Sequence, residues 1–167
     1  MPTAPVIIHI PQKPRQALTE GELKRVADCL EIRRVVFIVG QGVPREIERD
    51  EREFHCGHLL LLENSSPVGT LRYRRTEEGV KLERIAVLPD CQDRGYGRRL
   101  VEAAVRIIRS QDETTTIYLH AQLTSEGFYR RLGFVGDGGP AFREAGIEHR
   151  TMVLPSSPDQ ERMCLGL

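Results

Sequence analysis

The densest chemistry in the chain lies in Asp90-Cys91-Gln92-Asp93-Arg94-Gly95-Tyr96-Gly97-Arg98-Arg99-Leu100, directly after the apolar run Leu82 to Pro89. Two glycines two residues apart, between a candidate strand and a candidate helix, make a turn whose backbone an anion can approach closely. The helix that follows leaves its first N–H groups without intrahelical acceptors, and these donors together with the helix dipole favour negative charge. Arg94 and Arg98 add cationic side chains beside them. The ligand expected on Gln92, Asp93, Arg94, Gly95, Tyr96, Gly97 and Arg98 is a diphosphate; the plain alternative is a loop ended by Gly95 and a solvated arginine face. Two other phosphate motifs are excluded by the letters. No G-x-x-x-x-G-K-[ST] string occurs, and a dinucleotide fingerprint needs Gly or Ala where this chain has Leu100.

Groups able to move protons are few. Glu83 shares strand parity with Ile85 and Val87, so without a bulge all three side chains point to one sheet face. That makes Glu83 the first candidate for a general base, directly or through water, against the alternative of a salt-bridged strand carboxylate. His120, in an apolar strand, is the second candidate base, and a structural histidine is its simpler reading. Cys29, Cys56, Cys91 and Cys164 show no C-x-x-C pair and no histidine at ligand spacing, so no metal site is expected. The charged run Arg45 to Glu53 (REIERDERE) reads as a solvated helical face.

The elements that must position these groups follow from periodicity. Val6 to Ile10 reads as a short strand. Thr19 to Glu22 has capping-box form, and the apolar spacing after it predicts a helix over residues 20–37. A second short helix is expected around Pro44 to Glu51. Three strands separated by NSSP and TEEG turns come next and predict an antiparallel meander. Leu100, Ala103, Ala104, Ile107 and Ile108 form a helical stripe, with Arg98, Arg99, Glu102 and Arg106 largely off it. A strand over 114–121, a short helix stopped by Gly133 and a last strand at 149–155 complete the set. Strand, helix and strand across residues 80 to 121 make a parallel βαβ unit, so the sheet is mixed.

The 167 residues carry 24 basic and 24 acidic side chains. Zero formal charge gives no global attraction to nucleic acid or to an anionic membrane, so any anion site must be local. No apolar window approaches the roughly 18 residues of a membrane span, and the N-terminus lacks the form of a secretory or transit signal. A cytoplasmic protein is the expectation, with one domain over 1–154 and a tail over 155–167. No motif fixes the oligomeric state, and a homodimer is left open.

The segment Ile85 to Gly97 (IAVLPDCQDRGYG) resembles the acyl-CoA signature of the GNAT superfamily of N-acyltransferases, Q/R-x-x-G-x-G/A after a strand ending in V-x-P. Phe128 to Phe134 (FYRRLGF) resembles a second motif of that family, and residues 35–44, 119–122 and 145–152 are similar to its small ElaA-type branch. The resemblance implies an α/β GNAT fold: a mixed, mostly antiparallel sheet of six or seven strands, about four helices, and parallel fourth and fifth strands splayed at their C-terminal ends. It implies acetyl-CoA as cosubstrate, with no metal, its diphosphate on the glycine turn and its pantetheine arm on the backbone of Ile85, Ala86 and Val87. A polar contact from Gln122 is also implied. Tyr129 matches the family tyrosine that protonates the leaving thiolate. The acceptor would be a primary amine of a small molecule or of a protein or peptide. Acetyl transfer needs a neutral amine and a protonated thiol, with ordinary pKa values of about 10.4 and about 8.5, so a base such as Glu83 and an acid such as Tyr129 both help near neutral pH. Gly40 departs from the branch pattern, which has glutamate there. That keeps a second reading in play, a catalytically silent acyl-CoA-binding sensor or assembly module.

Overall fold

The computed structural model describes residues 4–156; Cys164 and the expected tail from residue 157 onward lie outside the described residues. The elements are β1 (Val6–Ile10), α1 (Glu20–Arg33), α2 (Arg45–Glu48), β2 (Gly57–Glu63), β3 (Ser66–Thr76), β4 (Gly79–Val87), α3 (Tyr96–Gln111), β5 (Ile117–Gln122), α4 (Glu126–Arg131), β6 (Val135–Gly136), β7 (Phe142–Glu144) and β8 (Ile147–Leu154). The sheet has eight strands in the order β1-β2-β3-β4-β5-β8-β6, with β7 paired to β8. The count exceeds the expected six or seven because β6 and β7, two and three residues long, are too short to leave an alternating pattern. The pairs β1–β2, β2–β3, β5–β8, β6–β8 and β7–β8 are antiparallel. Strands β4 and β5 are parallel, in register from Val80 opposite Ile117 to Leu82 opposite Leu119, as the βαβ reading required.

Helix α1 starts at the expected capping box: Glu22 N–H donates to Thr19 Oγ1 at 3.2 Å and Thr19 N–H to Glu22 Oε2 at 2.8 Å. It does not continue as α-helix to Phe37. From Arg34 to Val39 the backbone is π-helical. The β-branched run Val35, Val36, Ile38 and Val39 crowds the preceding turn, and a wider helix relieves that crowding. The second helix is only four residues long, because Arg49 is extended and the acidic side chains beyond it are drawn inward.

The chain divides into two compact units, Met1–Arg74 with Arg84–Ala104, and Arg75–Glu83 with Val105–Leu167. In the first, Ile10, Val26, Cys29, Ile32, Leu60 and Ala86 form a core cluster, with Phe37, Phe54 and Leu88 packed against it. Beside that core lies an ion network that corrects the solvated-face reading of Arg45 to Glu53 at Glu48, Asp50 and Glu53, while Arg45, Glu46, Ile47, Glu51 and Arg52 are exposed. Arg33 and Arg72 are 0% and 1% exposed, and Glu48 and Glu53 are 1% and 6% exposed. Arg33 donates from Nε to Glu48 and from Nη1 and Nη2 to both oxygens of Glu53, each at 2.8 Å. Arg72 grips Asp50 with two bonds, of 2.8 and 2.9 Å, and reaches Glu53 at 3.0 Å. Guanidiniums buried this deeply require carboxylates, and the acidic segment supplies them.

In the second unit, β5 pairs with β8 from Ile117 opposite Leu154 to Gln122 opposite His149. Ile117, Leu119, Ala121, Phe134 and Met152 are each at most 1% exposed. On α3, Leu100, Ala103 and Ala104 of the expected stripe lie in the first unit and are buried, together with Val101, which the spacing did not single out; in the second unit Ile108 is buried and Ile107 only half-buried.

Candidate active site

The glycine turn lies wholly in the first unit. Strand β4 ends at Val87, Leu88 N–H donates to Val68 O at 2.9 Å, and a single 3-10 turn over Pro89–Cys91 redirects the chain. Gln92 donates its side-chain amide to Val87 O at 3.2 Å, a strut across the start of the turn. Asp93 and Gly95 both take left-handed backbone conformations, with φ of 61° and 76°. The first helical bond of α3 is Arg99 N–H to Gly95 O at 3.1 Å. The amides of Tyr96, Gly97 and Arg98 are therefore the helix-start donors, at the head of a helix of 16 residues.

The arginines of the turn are not bare cations. Arg94 pairs with Glu63 at 3.1 Å and donates to Asp90 O at 2.9 Å, and Arg98 pairs with Glu102 at 2.7 Å. Tyr96 is buried, and its hydroxyl donates to Glu63 in a close hydrogen bond. The charges of Arg94 and Arg98 are thus both compensated by neighbouring carboxylates. Ile85, Ala86 and Val87 precede the turn as the last three residues of β4.

Arg84 breaks the alternation on which Glu83 was placed with Ile85 and Val87. Its φ is 54°, a left-handed residue inside a strand, so side-chain parity does not carry across it. The cause is visible in its contacts: Arg84 donates to Ile47 O at 3.0 Å and to Glu48 O at 3.3 Å, tying β4 to the acidic segment.

The second unit holds Glu83, His120, Gln122 and Tyr129. The Glu83 side chain is 9% exposed, and its Oε2 lies 3.9 Å from Lys81 Nζ. Lys81 Nζ lies 3.0 Å from His120 Nδ1, and the same nitrogen is 3.2 Å from Glu144 Oε2. Nδ1 faces a donor and a carboxylate and can serve only one of them at a time, accepting from Lys81 when it is unprotonated and donating to Glu144 when it carries the proton. The hydrogen bond from His120 pulls the Glu144 carboxyl down to about 2, against its partial burial. Neither Lys81 nor Glu144 was singled out from the sequence. The readable hint for Lys81 is its place two residues before Glu83 on one strand face.

Gln122 is the last residue of β5. Tyr129 sits in α4, its ring edge-on to Phe128 at 5.0 Å and to Phe134 at 6.0 Å. Phe134 N–H and Leu132 N–H both donate to Tyr129 O, at 3.1 and 3.0 Å, which closes the helix at Gly133 as expected. Burial pushes the phenol of Tyr129 well above its ordinary value, so it stays protonated across the neutral range.

Among the cysteines, burial pushes the Cys29 thiol up to about 11, which makes it inert near neutral pH. Among the described residues no cluster of three or more His, Cys, Asp or Glu is placed to hold a metal ion, and no helix is long and apolar enough to cross a membrane.

Comparison with known proteins agrees with this geometry. A family model described as an acetyltransferase (GNAT) domain matches residues 35–155. The chain is 38% identical over 128 residues to a protein of Bacillus subtilis (strain 168) named as an acetyltransferase, covering 75% of this chain and 86% of that protein. The crystal structure of an acyl-CoA N-acyltransferase from Pseudomonas aeruginosa is similar with a TM-score of 0.76 and 26% identity, over 91% of this chain and 100% of the other. Escherichia coli ElaA shares the fold, with a TM-score of 0.77 at 21% identity, over 91% of this chain and all 100% of ElaA. With a domain match that runs over most of the chain and contains the glycine turn, the chain belongs to the GNAT acetyltransferase family.

Proposed function

We propose that the chain transfers an acetyl group from acetyl-CoA to a primary amine of a small molecule or a protein. The observation that carries this reading is the turn Gln92 to Arg98, where left-handed backbone at Asp93 and Gly95 leads directly into the helix-start amides of α3. Those residues fit a diphosphate: the donors are backbone N–H groups, and glycine at 95 and 97 puts no side chain on the backbone of the turn. Acetyl-CoA supplies the thioester whose acyl carbon the amine attacks. Ile85, Ala86 and Val87 offer backbone groups to a pantetheine arm, and Gln122 a polar side chain.

Glu83 takes the proton that the amine must lose, directly or through one water. Tyr129 donates to the sulfur as the carbon–sulfur bond breaks. The burial that keeps this phenol protonated also makes complete transfer to a thiolate of ordinary pKa, about 8.5, uphill. Its first contribution is hydrogen-bond donation to the developing negative charge.

Free-thiol release from acetyl-CoA, measured across a panel of amines with hydrolysis controls, tests the proposal. The expected result is release that depends on one class of amine, with the acetylated product seen by mass. The proposal is wrong if calorimetry shows acetyl-CoA bound while no amine raises release above hydrolysis, which is the behaviour of a silent acyl-CoA module. Gly40 is the feature that would fit that outcome: a Cβ there would lie 3.3 Å from Val35 O, so the π-helical backbone leaves little room for the glutamate of the ElaA-type branch.

A further inference from the structure

We propose that Glu63 is the positioning residue of the diphosphate-binding turn, a single carboxylate that clamps both side chains flanking Gly95. The inference rests on the acyl-CoA reading of that turn and adds a residue to it from a different strand. Glu63 is the last residue of β2 and pairs with Ser66 across a two-residue hairpin. Asn64 and Ser65 are both left-handed, with φ of 49° and 66°, the conformation of a tight hairpin turn matched to strand twist. The carboxylate is therefore mounted on a rigid support rather than on a loop.

From there it takes two partners. The Tyr96 hydroxyl donates to Oε1, and Arg94 Nη1 lies 3.3 Å from Oε1 and 3.1 Å from Oε2. The other arm of Arg94 donates to Asp90 O at 2.9 Å, so one guanidinium spans the turn from its first residue to the strand beyond it. Gly95, left-handed at φ 76°, lies between the two clamped residues. Tyr96 is 7% exposed, and its hydroxyl needs a partner at that depth. The phenol is raised by its hydrogen bond to Glu63, then by burial, so it remains a donor at neutral pH.

Two consequences follow. The turn is held in its anion-receiving shape before any ligand arrives, which lowers the ordering cost of binding. The charge of Arg94 is compensated by Glu63 and not offered whole to a phosphate. A carboxylate so close to a diphosphate site repels the ligand, and this cost is offset by the order it imposes.

Glutamine at position 63 keeps the acceptor for Tyr96 and Arg94 and removes the repulsion; alanine removes both. Calorimetry with CoA on the wild type, E63Q, E63A and Y96F separates these effects. We expect E63A to weaken CoA binding about tenfold, the loss of the acceptor that holds Tyr96 and Arg94. Y96F should weaken it less, the double variant E63A/Y96F no more than E63A alone, and E63Q should bind at least as tightly as the wild type. Once an acceptor is known, the loss should fall on KM for acetyl-CoA and not on kcat. Equal losses in E63Q and E63A, or undiminished binding in E63A and Y96F, would overturn the role of Glu63 and leave the acyl-CoA site standing. If E63A does not fold, undiminished CoA binding by Y96F alone overturns it. No CoA binding by the wild type would remove the acyl-CoA reading itself, and the clamp with it.

Discussion

At the scale of single residues, Tyr129 and Glu83 carry the opposed proton transfers and should fail differently. Tyr129→Phe deletes one hydroxyl from a ring packed against Phe128 and Phe134, so shape and acetyl-CoA affinity should persist. Turnover should fall by roughly 10²- to 10⁴-fold if the hydroxyl meets the thiolate, and full turnover from pH 6 to pH 9 would remove it from the mechanism. Glu83→Gln should cost most activity at low pH, where the acceptor is mostly ammonium; a uniform loss across pH would point to a structural role. In the turn, Gly95→Ala places a Cβ in open space but at φ 76°. The cost is conformational, about 1 kcal/mol of stability, and the readout is weaker acetyl-CoA binding by calorimetry. The turn was legible because glycine and helix-start chemistry are local. The Glu63 clamp was not, because 33 residues separate Glu63 from Tyr96 and only the pairing of strands brings them together.

At the scale of elements, the periodic segments were legible and the charged one was misread. β-Branched alternation and capping residues act within a few positions, so α1, α3 and the six longer strands could be placed from their letters. The run Arg45 to Glu53 has no such local logic. Glu48 and Glu53 turn inward because Arg33, on the same helical stripe as Val26 and Cys29, is buried and must be neutralised, while Glu46 and Glu51 stay exposed. The hint was present in α1: a basic residue at a core position predicts a carboxylate from elsewhere. Arg84 completes the arrangement by bending β4 toward the same segment, which is why side-chain parity fails between Glu83 and Ile85. Arg33→Met should therefore be costly even though methionine fits an apolar stripe, because Glu48 and Glu53 lose their main counter-charge. The expected loss is about 3–5 kcal/mol in urea unfolding, and a change under 1 kcal/mol would mean that the network is not a structural keystone.

At the scale of the whole molecule, these buried charges set how stability responds to acid. His58 is 1% exposed; its Nε2 lies 2.7 Å from Glu53 O, and its Nδ1 is enclosed without a hydrogen-bond partner among the described residues. Burial, more than any neighbour, holds its pKa below the ordinary 6.5. The unfolded chain then binds a proton at this site more readily than the folded one, so stability falls as pH drops through 6.5. Asp50 acts in a lower window. Burial alone would raise its carboxyl, but the two bonds from Arg72 override that and hold it at about 2, against an ordinary 3.8. Stability from this pair is complete above pH 3.8 and is lost between there and pH 2, roughly 2 kcal/mol if the whole shift is realised. Acid unfolding should thus have two stages, each with its own variant. His58→Gln can keep a donor toward Glu53 O while abolishing the titration, so it should flatten the decline in stability between pH 7 and pH 5 and leave the lower stage alone. Asp50→Asn should lower stability at neutral pH and flatten the decline below pH 4. Urea unfolding midpoints across pH 2 to 8 measure both, and a His58→Gln curve parallel to that of the wild type from pH 7 to 5 would show that some other group controls the first stage.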